Sequence, residues 1–207
     1  IKQANTKDAL KNERYTLIEG DILDEGLLES LFQKYQFKRL FHLAARAGVR
    51  PSIDQPKLYA DVNIRGSLNL LECARKYKTE KVLLASTSSI YGNNETIPFS
   101  ENDPVNDPIS PYAATKRSME LLAKNYNHLY KIPIACIRFF TVYGPRQRPD
   151  MAIHKFCKMI ESKTSLPVFN NGVCERDFTY IEDIINGIQA IEKQDFTFDI
   201  VNLGNSE

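Results

Sequence analysis

The sequence predicts an α/β fold, a doubly wound parallel sheet, from two complementary patterns. Apolar runs of strand length, such as Lys81–Ser86 and Ile134–Phe140, are separated by stretches whose apolar residues recur at helical spacing. Strands alternating with helices imply right-handed crossovers and helices on both faces of the sheet. No internal repeat, low-complexity tract or interdomain linker interrupts the alternation.

The elements follow in order. Tyr15 to Glu19 reads as a short strand ending at Gly20-Asp21, and Glu25 to Tyr35 as a helix with Leu27, Leu28, Leu31 and Phe32 on one side. Arg39 to Ala45 is a second apolar run. Leu58, Val62, Leu68, Leu71 and Ala74 mark a longer helix ending near Tyr77, and Lys81 to Ser86 is a third strand. A polar stretch with Gly92, Pro98, Pro104 and Pro108 follows, long enough to read as a functional segment rather than a connector. It ends at a helix start, with Ser110 as N-cap and Pro111 in the first position, and that helix runs to about Tyr130. Beyond Pro133 come a strand, Ile134 to Phe140, a Gly144-Pro145 turn and a helix from about Met151 to Glu161. A short strand near Val168, a helix from Glu182 to Glu192 and a last strand, Phe198 to Leu203, complete the chain.

The 207 residues are 43% hydrophobic and 26% charged, ordinary globular composition, and one domain with a small second lobe is expected. With 27 basic and 26 acidic residues the net charge is +1, so no global field recruits nucleic acid or an anionic membrane. No apolar run approaches the roughly 20 residues of a membrane helix. The four cysteines, Cys73, Cys136, Cys157 and Cys174, form no C-x-x-C pair, and the three histidines do not cluster with them. Reduced thiols in a cytoplasmic protein without a metal site are therefore expected. The polar start, Ile1 to Arg14, resembles no secretory signal and has no initiator methionine, so the chain is expected to begin part-way into a larger protein.

In parallel sheets ligands bind beyond the carboxyl ends of the strands. There the sequence places Gly20-Asp21-Ile22, His42-Leu43-Ala44-Ala45, Ser86-Thr87-Ser88-Ser89 and Thr141-Val142-Tyr143-Gly144. Tyr112 and Lys116, four apart in the first turns of the capped helix, share a face. An ammonium about 5 Å from a phenol favours the phenolate by on the order of 3 kcal/mol, enough to bring it from about 10 towards neutrality and make a base of it. Tyr77 and Lys81 have the same spacing, but one closes a helix and the other opens a strand, so the spacing alone carries little.

H-L-A-A at His42, S-T-S-S-I-Y-G at Ser86, S-P-Y-A-A-T-K at Ser110, R-F-F-T-V-Y-G-P at Arg138 and R-D-F-T-Y-I at Arg176 occur in that order. Together they resemble the extended short-chain dehydrogenases/reductases, NAD-dependent sugar-nucleotide epimerases and dehydratases. R-P-D-M-A at Arg148 is most similar to the UDP-glucuronate 4-epimerase branch. The resemblance implies a Rossmann-like NAD-binding domain over residues 1–145 and, over 146–207, part of a small C-terminal substrate lobe mixed with returning sheet elements, the chain being truncated at both ends.

It further implies Tyr112 as the acid/base at the C4 hydroxyl, Lys116 as its partner and a ligand of the nicotinamide ribose, and Thr87 as the hydroxyl bonded to the reacting oxygen. Asp21 and Ile22 match positions at the adenine, Leu43, Ala44 and Ala45 line the dinucleotide, Asn63 stands at its edge and Phe140 near the nicotinamide. Arg176 matches the arginine of the nucleotide diphosphate, and Thr141 and Arg148 match positions that hold a sugar carboxylate. Arg50, Ser88 and Ser89 complete the substrate side. The implied reaction is inversion of C4 of a UDP-sugar, UDP-glucuronate or UDP-glucose, through a 4-keto intermediate in a homodimer. Dehydratases and decarboxylases of the family usually place an acid beside the catalytic hydroxyl; Ser88 and Ser89 follow Thr87 here, which favours an epimerase.

Two departures shape these expectations. The sequence reads P-R-Q-R-P-D where the glucuronate branch commonly reads P-W-G-R-P-D, so UDP-glucose or an N-acetylated sugar stays open. None of the nine glycines forms the family's Gly-rich dinucleotide fingerprint, so the chain as written is expected to bind NAD poorly. A dehydratase or decarboxylase, or a binding module without turnover, is the alternative.

Overall fold

A computed structural model describes residues 2–168, 170–173 and 175–205. Eight α-helices and six strands are assigned among them: α1 (Lys2–Thr6), α2 (Glu25–Tyr35), β1 (Arg39–His42), α3 (Val49–Asp54), α4 (Pro56–Ala60), α5 (Gly66–Lys76), β2 (Lys81–Thr87), α6 (Pro111–Tyr130), β3 (Ile134–Phe139), β4 (Thr141–Tyr143), α7 (Ala152–Glu161), β5 (Phe178–Tyr180), α8 (Ile181–Lys193) and β6 (Phe198–Leu203). The main sheet has the order β1-β2-β3-β6 with every pair parallel, and β4 and β5 form a second, two-stranded parallel sheet.

Alternation along the central strands explains the two covered faces. Val82, Leu84, Ile134 and Cys136 pack with Leu71 and Ala74 of α5 and Met119 and Ala123 of α6. Their neighbours Leu83, Ala135 and Ile137 turn the other way, onto Ile184 and Ile188 of α8. Cys73 and Cys136 are buried free thiols and Cys157 is an exposed one; Cys174 lies outside the described residues.

The helix most important to the site is fixed locally. Ser110 accepts from Ala113 N at 3.1 Å, Pro111 occupies the first turn, and Lys131 closes the helix in the left-handed region, its N–H returning to Asn127 O at 2.9 Å. Asp24 caps α2 in the same way through Leu27 N at 2.9 Å.

Two strand expectations need correction. Tyr15 to Glu19 forms no strand and pairs with no described one, and Tyr15, Leu17 and Ile18 are all exposed; a strand exists only through its ladder, whatever its local pattern. β1 stops at His42, within the apolar run that reaches Ala45, because the ladder with β2 ends at the pair His42↔Leu84. No strand forms at Val168, which is exposed in irregular chain. The short strand of this region is instead β5, paired to β4. No described helix is long and apolar enough to cross a membrane.

Candidate active site

The carboxyl ends of β1, β2 and β3 and the first turns of α6 meet at one edge. Thr87, the last residue of β2, is buried, and its hydroxyl accepts from Ser89 N at 3.2 Å and donates to Ser89 Oγ at 3.2 Å. The same hydroxyl faces the Tyr112 phenol and favours its phenolate. The Tyr59 ring stands edge-on to Tyr112, with centroids 6.3 Å apart, and its hydroxyl donates to Ala47 O at 2.9 Å. The charge of Arg148 acts on both phenols. Arg148 is half-exposed and donates Nη2 to Asp150 Oδ2 at 3.1 Å.

The expected ammonium–phenol pair takes a different form. Burial pushes the Tyr112 phenol above its ordinary value, with Thr87 and Arg148 working against that rise, and Lys116 is not among the groups that move it. The Lys116 amine donates instead to Ala85 O at 2.6 Å, and burial brings it down to about 8. Spacing places two Cβ atoms on one face; it does not fix where a four-carbon stem ends.

Asn63, which lies in the π-helical turn Asp61–Arg65, pins the chain leaving β1. Its Oδ1 accepts from Arg46 N at 2.7 Å, and its Nδ2 donates to Arg46 O and to Thr115 Oγ1, each at 3.0 Å. Thr115 in turn donates to Tyr112 O at 2.8 Å, so the loop after β1 and the start of α6 are tied through one amide. Ile22 packs on Gly66, where a Cβ would come within 2.5 Å of the isoleucine side chain, and Asn69 Nδ2 donates to Ile22 O at 3.1 Å. Asp21 accepts from Leu23 N at 2.9 Å and turns the chain into α2. Leu43 is 59% exposed at the end of β1, with Ala44 and Ala45 following it.

On the other side, Phe140 N donates to Leu203 O at 3.3 Å and Thr141 N to Asp177 O at 3.1 Å. Asp177 also accepts from Thr179 Oγ1 and Asn205 N, which fixes the chain around β5. Arg176 is exposed and donates to the neighbouring Glu175 O at 2.6 Å, and Arg50 is exposed on α3. The structure thus joins Thr87, Ser89, Tyr112 and, electrostatically, Arg148, while Arg176 bonds to its own neighbour. Sequence reasoning missed Tyr59, whose signal was only a tyrosine on a short helix, and the buried Arg138–Glu120 pair, whose signal was a lone charge in the apolar run Ile134–Phe139.

His42 is buried beneath this edge, 2.8 Å from Ser67 Oγ, whose proton goes to Asn63 O at 2.6 Å. Burial, aided by the Lys116 charge, brings His42 down to about 4 from 6.5. Between those values the unfolded chain takes up the extra proton, so this stability is present above pH 6.5 and is lost as pH falls towards 4. That gap is worth about 3 kcal/mol. Urea denaturation from pH 7.5 to 4.5 is expected to show that loss and to show it flattened in His42→Gln.

A family model described as GDP-mannose 4,6 dehydratase matches residues 1–206. The chain is 44% identical over 207 residues to a UDP-glucuronate 4-epimerase of Thermodesulfobacterium geofontis, a match covering 100% of this chain and 64% of that protein. Among solved structures it is similar to a UDP-glucuronic acid 4-epimerase from Bacillus cereus in complex with UDP-glucuronic acid and NAD, with 38% identity, a TM-score of 0.90 and coverage of 100% and 65% of the two chains. It is also similar to a dTDP-glucose 4,6-dehydratase from Streptomyces venezuelae with NAD bound, with 28% identity, a TM-score of 0.93 and coverage of 99% and 63%. The chain spans 64% of the length of the curated relatives that match all of it.

Proposed function

Because this chain belongs to the GDP-mannose 4,6-dehydratase family of NAD-dependent sugar-nucleotide epimerases and dehydratases, we propose that the whole protein inverts C4 of a UDP-sugar, UDP-glucuronate or UDP-glucose. The observation that carries this reading is the Thr87–Tyr112 hydroxyl pair at the sheet edge, with the Arg148 charge acting on the phenol. No carboxylate adjoins Thr87 in the sequence.

The residues of this edge suit NAD. Lys116 is a buried ammonium beneath it, suited to ribose hydroxyls; exposed Leu43, with Ala44 and Ala45, offers an apolar wall; and Asp21, Ile22, Asn63 and Phe140 lie at the ends of the elements that would flank the dinucleotide. When bound, NAD supplies the hydride acceptor and donor at C4. Tyr112 takes the C4 hydroxyl proton and later returns one to the same oxygen, while Thr87 donates to that oxygen throughout. Thr141, Ser88, Ser89, Arg50 and Arg148 form the sugar side, where Arg148 pairs with a hexuronate carboxylate, and the planar fork of Arg176 suits the diphosphate.

The test is proton NMR of UDP-glucuronate, UDP-glucose and UDP-N-acetylglucosamine incubated with the full-length protein and NAD. Conversion of UDP-glucuronate or UDP-glucose to its C4 epimer is expected. A 4-keto-6-deoxy product would replace this reading with dehydration, the activity named for the Streptomyces venezuelae structure. Absence of any conversion would leave a binding module.

A further inference from the structure

One residue back from the reactive edge, Ser86, Arg138 and Asn202 stand side by side on β2, β3 and β6. Arg138 and Glu120 of α6 are each 1% exposed. The guanidinium meets the carboxylate twice, Nε to Oε1 at 3.0 Å and Nη2 to Oε2 at 3.1 Å. Ser86 Oγ donates to Oε1 at 2.6 Å and Arg117 Nη1 to Oε2 at 3.0 Å, which saturates the carboxylate. Arg138 extends Nη1 to the Tyr91 hydroxyl at 2.7 Å and to Glu101 O at 3.3 Å. Tyr91 passes its own proton to Asn202 Oδ1 at 2.7 Å. Asn202 closes the circuit, donating Nδ2 to Phe99 O at 2.9 Å and its backbone N–H to Glu101 Oε1 at 2.7 Å.

Every bond beyond Arg138 lands on residues 88–109 or on the strand that faces them. This segment leaves the reactive edge directly after Thr87, through the single 3-10 turn Ser88–Tyr91. Its apolar anchorage is small, a cluster of Ile90, Tyr91 and Val105 with Phe99 against it. A cavity of about 190 Å³ separates Glu101, Pro104 and Asn106 on one side from Arg117, Leu121 and Phe198 on the other. Apolar packing does not fill that gap, so directional bonds to Arg138 and Asn202 set where the segment lies.

We infer that Glu120, Arg138, Tyr91 and Asn202 form a latch that positions residues 88–109, and with them the Ser88 and Ser89 wall of the sugar site, relative to Tyr112. The inference rests on the proposed function in assigning that wall to the sugar. These are positioning residues: they act through the segment and not on the reacting atoms. The latch governs affinity for the UDP-sugar and leaves affinity for NAD unchanged, because the residues assigned to the dinucleotide, Asp21, Ile22, Leu43, Ala44, Ala45, Asn63, Lys116 and Phe140, all lie outside residues 88–109.

Two variants test it in the full-length protein, loaded with NAD for cleavage and UDP-sugar binding and stripped of NAD for the NAD titration. Tyr91→Phe keeps the ring stacked on Phe99 and deletes the hydroxyl between Arg138 and Asn202; Asn202→Ala cuts the bond to Phe99 O and the bond accepted from Tyr91. Cleavage by endoproteinase Glu-C after Glu95 and Glu101 is followed by mass spectrometry, with the cut after exposed Glu13 as internal reference, and UDP-glucuronate and NAD affinities are measured by calorimetry. A hydrogen bond to a charged group is worth about tenfold or more in such an opening equilibrium. Cleavage at Glu95 and Glu101 is expected to accelerate about tenfold relative to Glu13, with UDP-glucuronate binding about tenfold weaker and NAD binding unchanged. Unchanged cleavage in both variants overturns the latch. So does faster cleavage with unaltered UDP-glucuronate affinity, or equal acceleration at Glu13. Wild-type protein that binds UDP-glucuronate but inverts neither it nor UDP-glucose overturns the proposed function alone, since cleavage and affinity still decide the latch; failure to bind either UDP-sugar overturns both.

Discussion

Tyr112→Phe is expected to lower kcat by roughly 10²–10⁴-fold, the range for loss of one general acid/base group. The substitution removes only a hydroxyl, and the ring keeps its edge-on contact with Tyr59 and its place in the first turn of α6. Binding of the UDP-sugar, measured by calorimetry, is expected to change little; epimerisation at the wild-type rate would remove Tyr112 from the mechanism. The direction of the pH dependence follows from the same phenol. Burial holds it above its ordinary value and the Thr87 hydroxyl lowers it. Proton removal needs the phenolate, so kcat/KM rises with pH below the phenol's pKa. Deleting the stabilising hydroxyl in Thr87→Ala moves that rising limb to higher pH, and a limb that stays in place would separate Thr87 from the titration of Tyr112.

The second large effect is on stability. Glu120→Ala leaves the Arg138 guanidinium buried in the sheet with only the Tyr91 hydroxyl and a backbone carbonyl. Burial works against that charge, and Glu120 is the group that outweighs it. Breaking a buried pair by removing one partner costs about 3–5 kcal/mol, because a charge is left without compensation. Urea unfolding followed by circular dichroism measures it, and a loss under about 1 kcal/mol would contradict the assignment. The double variant Glu120→Met/Arg138→Met is expected to regain most of the loss, since neither charge then remains to be desolvated.

The parts of this molecule that could be read from sequence are those decided within a few residues. Ser110 and Pro111 start a helix whose cap needs no distant partner, and α2 and α6 lie where their apolar spacing puts them. The continuous apolar runs of β2 and β3 read as strands because both of their faces are covered. Tyr15 to Glu19 has the same local pattern without a neighbour, whereas Phe178–Tyr180 is too short for a pattern and is a strand only because Thr141 lies alongside it. The ordered hydroxyl residues marked the candidate site, since they follow strand ends. Side-chain destinations were not legible: Lys116 reaches Ala85 O, and Glu120 finds Arg138 eighteen positions away.

Phe140 and Thr141 are consecutive residues whose amides belong to different sheets, one bonded to Leu203 O and the next to Asp177 O. A single peptide unit is therefore the seam between the four-stranded and two-stranded sheets. Hydrogen exchange at these two amides reports two separate openings, so protection that rises at Thr141 alone when a UDP-sugar is added records tightening of the β4–β5 ladder, without any change in the sheet that carries Thr87.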